Sequence, residues 1–129
     1  MAVGLCARII SASTGRIVHG PRNTVVVSGT TATLTCVTDL DNDGLCWDQL
    51  ERASTWILRC NMGGGCLPRY AVQTSVQNRL RHHSFTIDSC DVADSTRYRC
   101  AKCQQRDTKP SAHLVVIGML HTLLFTCND

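Results

Sequence analysis

Short alternating stretches, rather than helical periods, organise this chain. In Thr31-Ala-Thr-Leu-Thr-Cys36 every second residue is apolar, which puts Ala32, Leu34 and Cys36 on one side of a strand. His83 to Asp88 repeats the pattern with Phe85 and Ile87 inward, and Ala112 to Ile117 does so with Leu114 and Val116. Further strands are predicted over Thr24–Val27, Cys46–Leu50, Thr55–Cys60, Arg69–Gln73 and Arg97–Cys103. Turn-forming clusters separate them: Gly29, Asp39 to Gly44, and Asn61-Met-Gly-Gly-Gly65. Residues 74–81 read as a polar connection, and His82-His83 as the start of an edge strand. Pro21 marks a kink where an edge strand changes sheets, because proline cannot donate to a ladder. Helix is limited to one turn near Val92 to Ser95. The pattern predicts an all-β domain, with no internal repeat and no low-complexity tract.

Four residues fix the architecture further. Cys36 and Cys100 stand 64 positions apart, Trp47 follows the first by eleven, and Tyr98 precedes the second by two. A buried Trp against an inter-sheet disulfide, with a Tyr just before the second Cys, is the signature of the immunoglobulin two-sheet Greek-key β-sandwich. The long spacing leaves room for the extra strands of a variable or intermediate type. The chain resembles the immunoglobulin superfamily, and within it the first domain of nephrin, Kirre and roughest-type cell-adhesion receptors. The residues that carry this are Gly20-Pro21 ahead of Thr24-Val-Val-Val-Ser-Gly29, Leu34-Thr-Cys36, Trp47, Pro68-Arg69-Tyr70, Asp94 to Cys100, and Ser111-Ala-His-Leu-Val-Val-Ile117. The resemblance spans residues 16–118, and implies that Arg69 pairs with Asp94 at the bottom of the sandwich as a bidentate ion pair.

Nine cysteines in 129 residues point to an oxidising, extracellular setting, and the odd number leaves at least one thiol without an intrachain mate. The implied fold joins Cys36 to Cys100. Alternation then turns Cys46 and Cys103 outward on neighbouring strands, where a second bridge is expected. Cys60 and Cys66 flank a five-residue glycine loop and suggest a third. Cys6, Cys90 and Cys127 have no evident mates. Residues 1–15 make a poor secretory signal because Arg8 interrupts them, and Leu114 to Phe125 is too short to cross a bilayer, which needs about 20 residues. With a 119–129 tail and no anchor, the chain reads as a fragment, an isoform or an imperfect gene model of a cell-surface protein.

No reactive constellation emerges. The net charge of +3 is scattered and aromatics are sparse, which argues against nucleic acid. Cys100-Ala-Lys-Cys103 lies on a strand, with Cys100 already claimed. Cys60, Cys66, Cys103 and His82 or His83 are soft ligands without the paired spacing of a zinc site. Asp39-Leu-Asp41-Asn-Asp43-Gly44 opens like a calcium loop, but Leu50 stands where the closing Glu belongs. No nucleophile elbow, HExxH, P-loop or N-glycosylation acceptor occurs. No cofactor, metal or small-molecule substrate is expected.

The expectation is a non-enzymatic extracellular module that binds protein, itself or a related adhesion receptor. The binding face would be the sheet of strands C, C′, F and G in that fold. Its outward set is Cys46, Asp48 and Leu50, then Arg97, Arg99 and Ala101, then His113, Val115 and Ile117. Leu50, Val115 and Ile117 would form an apolar centre, and Arg97, Arg99 and Asp48 a charged rim. Two alternatives are an immune-type variable domain that reads ligands with its loops, and a thiol or metal-binding protein. Against the first, Arg106-Asp-Thr-Lys-Pro110-Ser replaces the usual Phe-Gly-x-Gly bulge.

Overall fold

The computed structural model describes residues 16–41, 44–51, 54–61, 65–103 and 110–118. They form ten strands: β1 (Ile17–His19), β2 (Thr24–Val27), β3 (Ala32–Asp39), β4 (Leu45–Glu51), β5 (Thr55–Asn61), β6 (Gly65–Cys66), β7 (Tyr70–Gln77), β8 (Leu80–Ile87), β9 (Thr96–Lys102) and β10 (Ser111–Ile117). One sheet has the order β1-β3-β8-β7, and the other the order β2-β10-β9-β4-β5-β6. Neighbours pair antiparallel except β2 and β10, which run parallel. The protein is therefore all-β with two sheets, compatible with a β-sandwich.

The alternation explains the core. Ala32, Leu34 and Cys36 of β3, Phe85 and Ile87 of β8, and Leu114 and Val116 of β10 are all buried. Trp47 of β4 stacks on Phe85 at 4.8 Å between ring centroids, and Tyr70 of β7 stacks on the same ring at 5.7 Å. Phe85 thus carries one sheet into the other's aromatic layer. The Cys36–Cys100 bond ties β3 to β9 across the same layer.

The sheet change at Pro21 is present, since β1 belongs to the four-stranded sheet and β2 to the six-stranded one. The crossing is tight. A Cβ on Gly20 would fall 2.3 Å from Cβ of Pro110, so only glycine fits there.

The region read as a polar connection over 74–81 is different in the structure. β7 continues to Gln77, and β8 begins at Leu80. Between them Asn78 and Arg79 have φ of 53° and 61°, the left-handed pair that closes a two-residue hairpin. Consequently β8 is an interior strand, and His83 is not on an edge. It is fully buried, with Nε2 2.8 Å from Thr38 Oγ1 and Nδ1 3.1 Å from Thr74 Oγ1. Burial, reinforced by the charges of Arg81 and His82, holds its pKa down at about 4.

Candidate functional site

The outer face of the six-stranded sheet is built by register. His113 faces Arg97, Asp48 faces Arg99 and Leu58, and Leu50 faces Trp56. Two rows result. One runs His113, Arg97, Leu50, Trp56 across β10, β9, β4 and β5. The other places Arg99, Asp48 and Leu58 side by side. β5 reaches this register through a bulge: Trp47 faces Cys60 and Asp48 faces Leu58, which leaves Arg59 as the extra residue. The bulge puts Trp56 and Leu58 on the outer face. Sequence reading missed Trp56; its parity could have been followed from Thr55, but the bulge hides its register.

The expected arrangement of centre and rim is reversed. The sequence pattern puts Asp48 on a charged rim, yet it has no accessible surface. Arg99 Nε donates to Asp48 Oδ2 at 2.9 Å, and the Arg99 side chain is only 13% exposed. Its guanidinium lies 4.2 Å over the Trp56 ring. The carboxylate needs a charged partner to be buried, and the stacked guanidinium supplies one while shielding it. Asp48 therefore cannot touch a partner. Cys46 and Ala101, also expected outward, lie on this face but are buried.

Arg97 is exposed, and its Nε donates to His113 Nε2 at 3.1 Å. Val115 (45%) and Ile117 (38%) stand exposed as well, but on the second strand from the edge rather than at the centre. Val25 of the edge strand β2 faces Val115 and is 62% exposed, which extends the aliphatic stripe to the border of the sheet. Val25 was absent from the expected set.

The other singled-out residues are structural. Tyr98 Oη donates to the Asp94 carbonyl at 2.8 Å, a tyrosine corner, and accepts from Gln49 Nε2 at 2.9 Å. Arg59 Nε donates to Gln49 Oε1 at 2.7 Å, so a continuous polar chain runs from Arg59, whose guanidinium lies 5.5 Å over the Tyr70 ring, to the corner. Burial raises the Tyr98 phenol well above its ordinary value. Arg69 sits against Asp94 with Nη2–Oδ2 at 2.5 Å and Nη1–Oδ1 at 3.4 Å. The same Asp94 caps the turn Val92–Asp94 by accepting from Asp91 N at 2.8 Å.

All three expected cysteine pairs are bonded. Cα atoms are 6.5 Å apart in Cys36–Cys100, 5.1 Å in Cys46–Cys103 and 4.1 Å in Cys60–Cys66. Three disulfides point to an oxidising compartment. Cys90 is a free thiol buried in the core, its pKa raised by burial. Cys6 and Cys127 lie outside the described residues. Asp39 accepts from the backbone amides of Arg16 and Asp41, each at 3.2 Å, and Asp43 lies outside the described residues. Among the described residues no group of three or more His, Cys, Asp or Glu could hold a metal ion, and no helix is long and apolar enough to cross a membrane.

Compared with known proteins, the chain matches no family model and no curated protein.

Proposed function

We infer that the chain is an immunoglobulin-like domain of variable or intermediate type, and that it works as a non-enzymatic recognition module outside the cell. The fold reading is supported by Trp47 beside the Cys36–Cys100 bond, the Tyr98 corner, and the two extra strands β5 and β6 on the larger sheet. The binding surface in this reading is the outer face of that sheet, presented to a protein, either a like molecule or a related adhesion receptor.

The observation that carries the functional reading is the exposed stripe Val25, Val115 and Ile117 beside Arg97 and the half-buried Leu50 and Trp56. Aliphatic, aromatic and Arg side chains on a rigid sheet make the composition of a binding centre. No N-glycosylation acceptor covers it. The thiol and metal alternative is weakened because six of the nine cysteines are in disulfides, which removes them as thiolate ligands.

The test is Val115→Asp. Its cost to folding should be about 1 kcal/mol or less, because the side chain is solvent-facing. An unpaired carboxylate buried in an interface should weaken binding to a captured adhesion-receptor ectodomain at least a hundredfold, about 3 kcal/mol. Asp41→Lys is the comparison. Loss with Asp41→Lys but not with Val115→Asp would transfer recognition to the loops.

A further inference from the structure

We propose that the chain has a second, separate interaction surface, the free edge of β7, and that this edge pairs antiparallel with β7 of a second copy. It lies on the four-stranded sheet and is independent of the face discussed above.

The two sheets end in four edge strands. Three are blunted. β1 has three residues and an irregular register. β2 has four residues and follows Pro21. β6 has two residues and is closed by Cys60–Cys66. These are the usual protections against edge-to-edge pairing. β7 has none of them. It is eight residues long, Tyr-Ala-Val-Gln-Thr-Ser-Val-Gln, without charge or proline. Its register with β8 is unbroken from Tyr70↔Ile87 to Gln77↔Leu80. A cleft of about 250 Å³, lined by Asn61, Gly65, Cys66, Val72 and Thr74, separates it from β6.

The ladder shows which backbone groups are free. Asp88 N donates to Arg69 O at 2.8 Å, and Gln77 and Leu80 close the hairpin. Alternation therefore aims the amides and carbonyls of Ala71, Gln73, Ser75 and Gln77 at β8, and those of Val72, Thr74 and Val76 outward. Among the described residues, no backbone hydrogen bond outside the strand ladders reaches Val72, Thr74 or Val76, and β7 pairs only with β8.

That set is self-complementary. A two-fold axis at Thr74 brings Thr74 opposite Thr74 and Val72 opposite Val76 of the second copy. The amides and carbonyls of Val72, Thr74 and Val76 of both copies are then used, in about six hydrogen bonds. Val76, 57% exposed in the single chain, is covered by Val72 of the other copy. On the opposite face Gln73 meets Ser75, and Ala71 meets Gln77, so no like charges oppose each other within the strand. Arg79 falls opposite Arg69, whose charge is already held by Asp94. The second copy is the occupant because this register sets the exposed Val76 against Val72 and opposes no charges within the strand.

The test is sedimentation velocity of the full chain from about 1 µM to 1 mM, with hydrogen exchange at both ends of the range. A reversible dimer is expected to be well populated at roughly 100 µM, as befits a small edge contact. Amides of Val72, Thr74 and Val76 should gain protection with concentration, while those of Ala71, Gln73 and Ser75 are protected throughout. Val76→Lys and Val76→Pro should each raise the dissociation constant at least tenfold, and Val92→Lys, at the exposed turn before β9, should leave it unchanged. Should Val76→Pro disturb folding, Val76→Lys at an exposed site still decides. A monomer at all concentrations overturns the proposal. So does a dimer indifferent to Val76→Lys, one without the three-amide signature, or one that survives SDS without reductant and is therefore covalent.

Discussion

His83 makes a quantitative prediction about pH. The ring is fully buried, between Thr38 and Thr74, with Arg81 and His82 beside it on the same strand. Either hydroxyl can donate or accept, so the neutral ring is satisfied in both tautomers. The protonated ring gains no carboxylate in these contacts and loses water. Its folded pKa of about 4 lies below the unfolded value of 6.5. The unfolded chain therefore binds this proton first, and stability must rise with pH. The contribution is fully present above about pH 6.5 and is lost as pH falls towards 4. The shift corresponds to about 3 kcal/mol in total, of which about 2 kcal/mol disappears between pH 8 and pH 5.

Urea unfolding followed by tryptophan fluorescence at pH 8, 7, 6 and 5 measures this directly. The comparison is His83→Gln, which keeps an amide able to bond both threonines and does not titrate. Wild type should lose about 2 kcal/mol more than the variant over that range. The difference isolates His83 from the other histidines and from the carboxylates. If the two proteins lose stability in parallel, or if the His83 ring titrates near 6.5 by NMR in the folded state, the reasoning is wrong.

Two further predictions concern the scaffold. In the loop-entropy account, the bond closing the longest loop stabilises most: replacing both cysteines by Ala should cost about 4 kcal/mol for Cys36–Cys100 and about 2 kcal/mol for Cys60–Cys66, read as denaturant midpoints of the oxidised proteins. Arg99→Ala should cost about 3–5 kcal/mol because it removes the ion-pair partner of the buried Asp48 carboxylate, whereas Arg99→Ala combined with Asp48→Leu should recover most of that loss by the same measurement.

What the sequence disclosed follows from period-two geometry. Where a strand alternates and is anchored by a landmark such as Cys36, Trp47 or Cys100, the inward residues could be named, and so could the cysteines that face one another. What it hid falls where that geometry is locally broken. The β7–β8 hairpin closes through Asn78-Arg79, both at positive φ, without the glycine that usually announces such a turn. The sequence pattern therefore ends this strand at Gln73, four residues short of Gln77. The extra residue Arg59 shifts β5 against β4, so Trp56 could not be assigned to the face opposite Leu50. Asp48 and Arg99 alternate like solvent-facing charges. Nothing in either strand alone shows that register sets them side by side, with the guanidinium stacked on an indole supplied by a third. Those features depend on pairing between strands, which the pattern of one strand does not contain.

The burial of Asp48 and Arg99 bears on how the outer face would bind in the proposed function. The stacked guanidinium, the Cys46–Cys103 bond and the tyrosine corner fix β4 and β9. Arg97 and Leu50 project from these same two strands. Little backbone freedom remains there to be lost on association, and pre-organisation of this kind favours affinity without adding contacts. The consequence separates two kinds of variant. Val115→Asp acts at the surface, so it should reduce binding and leave the denaturant midpoint almost unchanged. Arg99→Ala acts from beneath, so it should lower the midpoint and reduce binding together. Restoring packing with Asp48→Leu should then recover both. If Arg99→Ala abolished binding while the double variant regained stability alone, Arg99 would have to contact the partner itself. The 13% of its side chain left exposed would then be the part that matters.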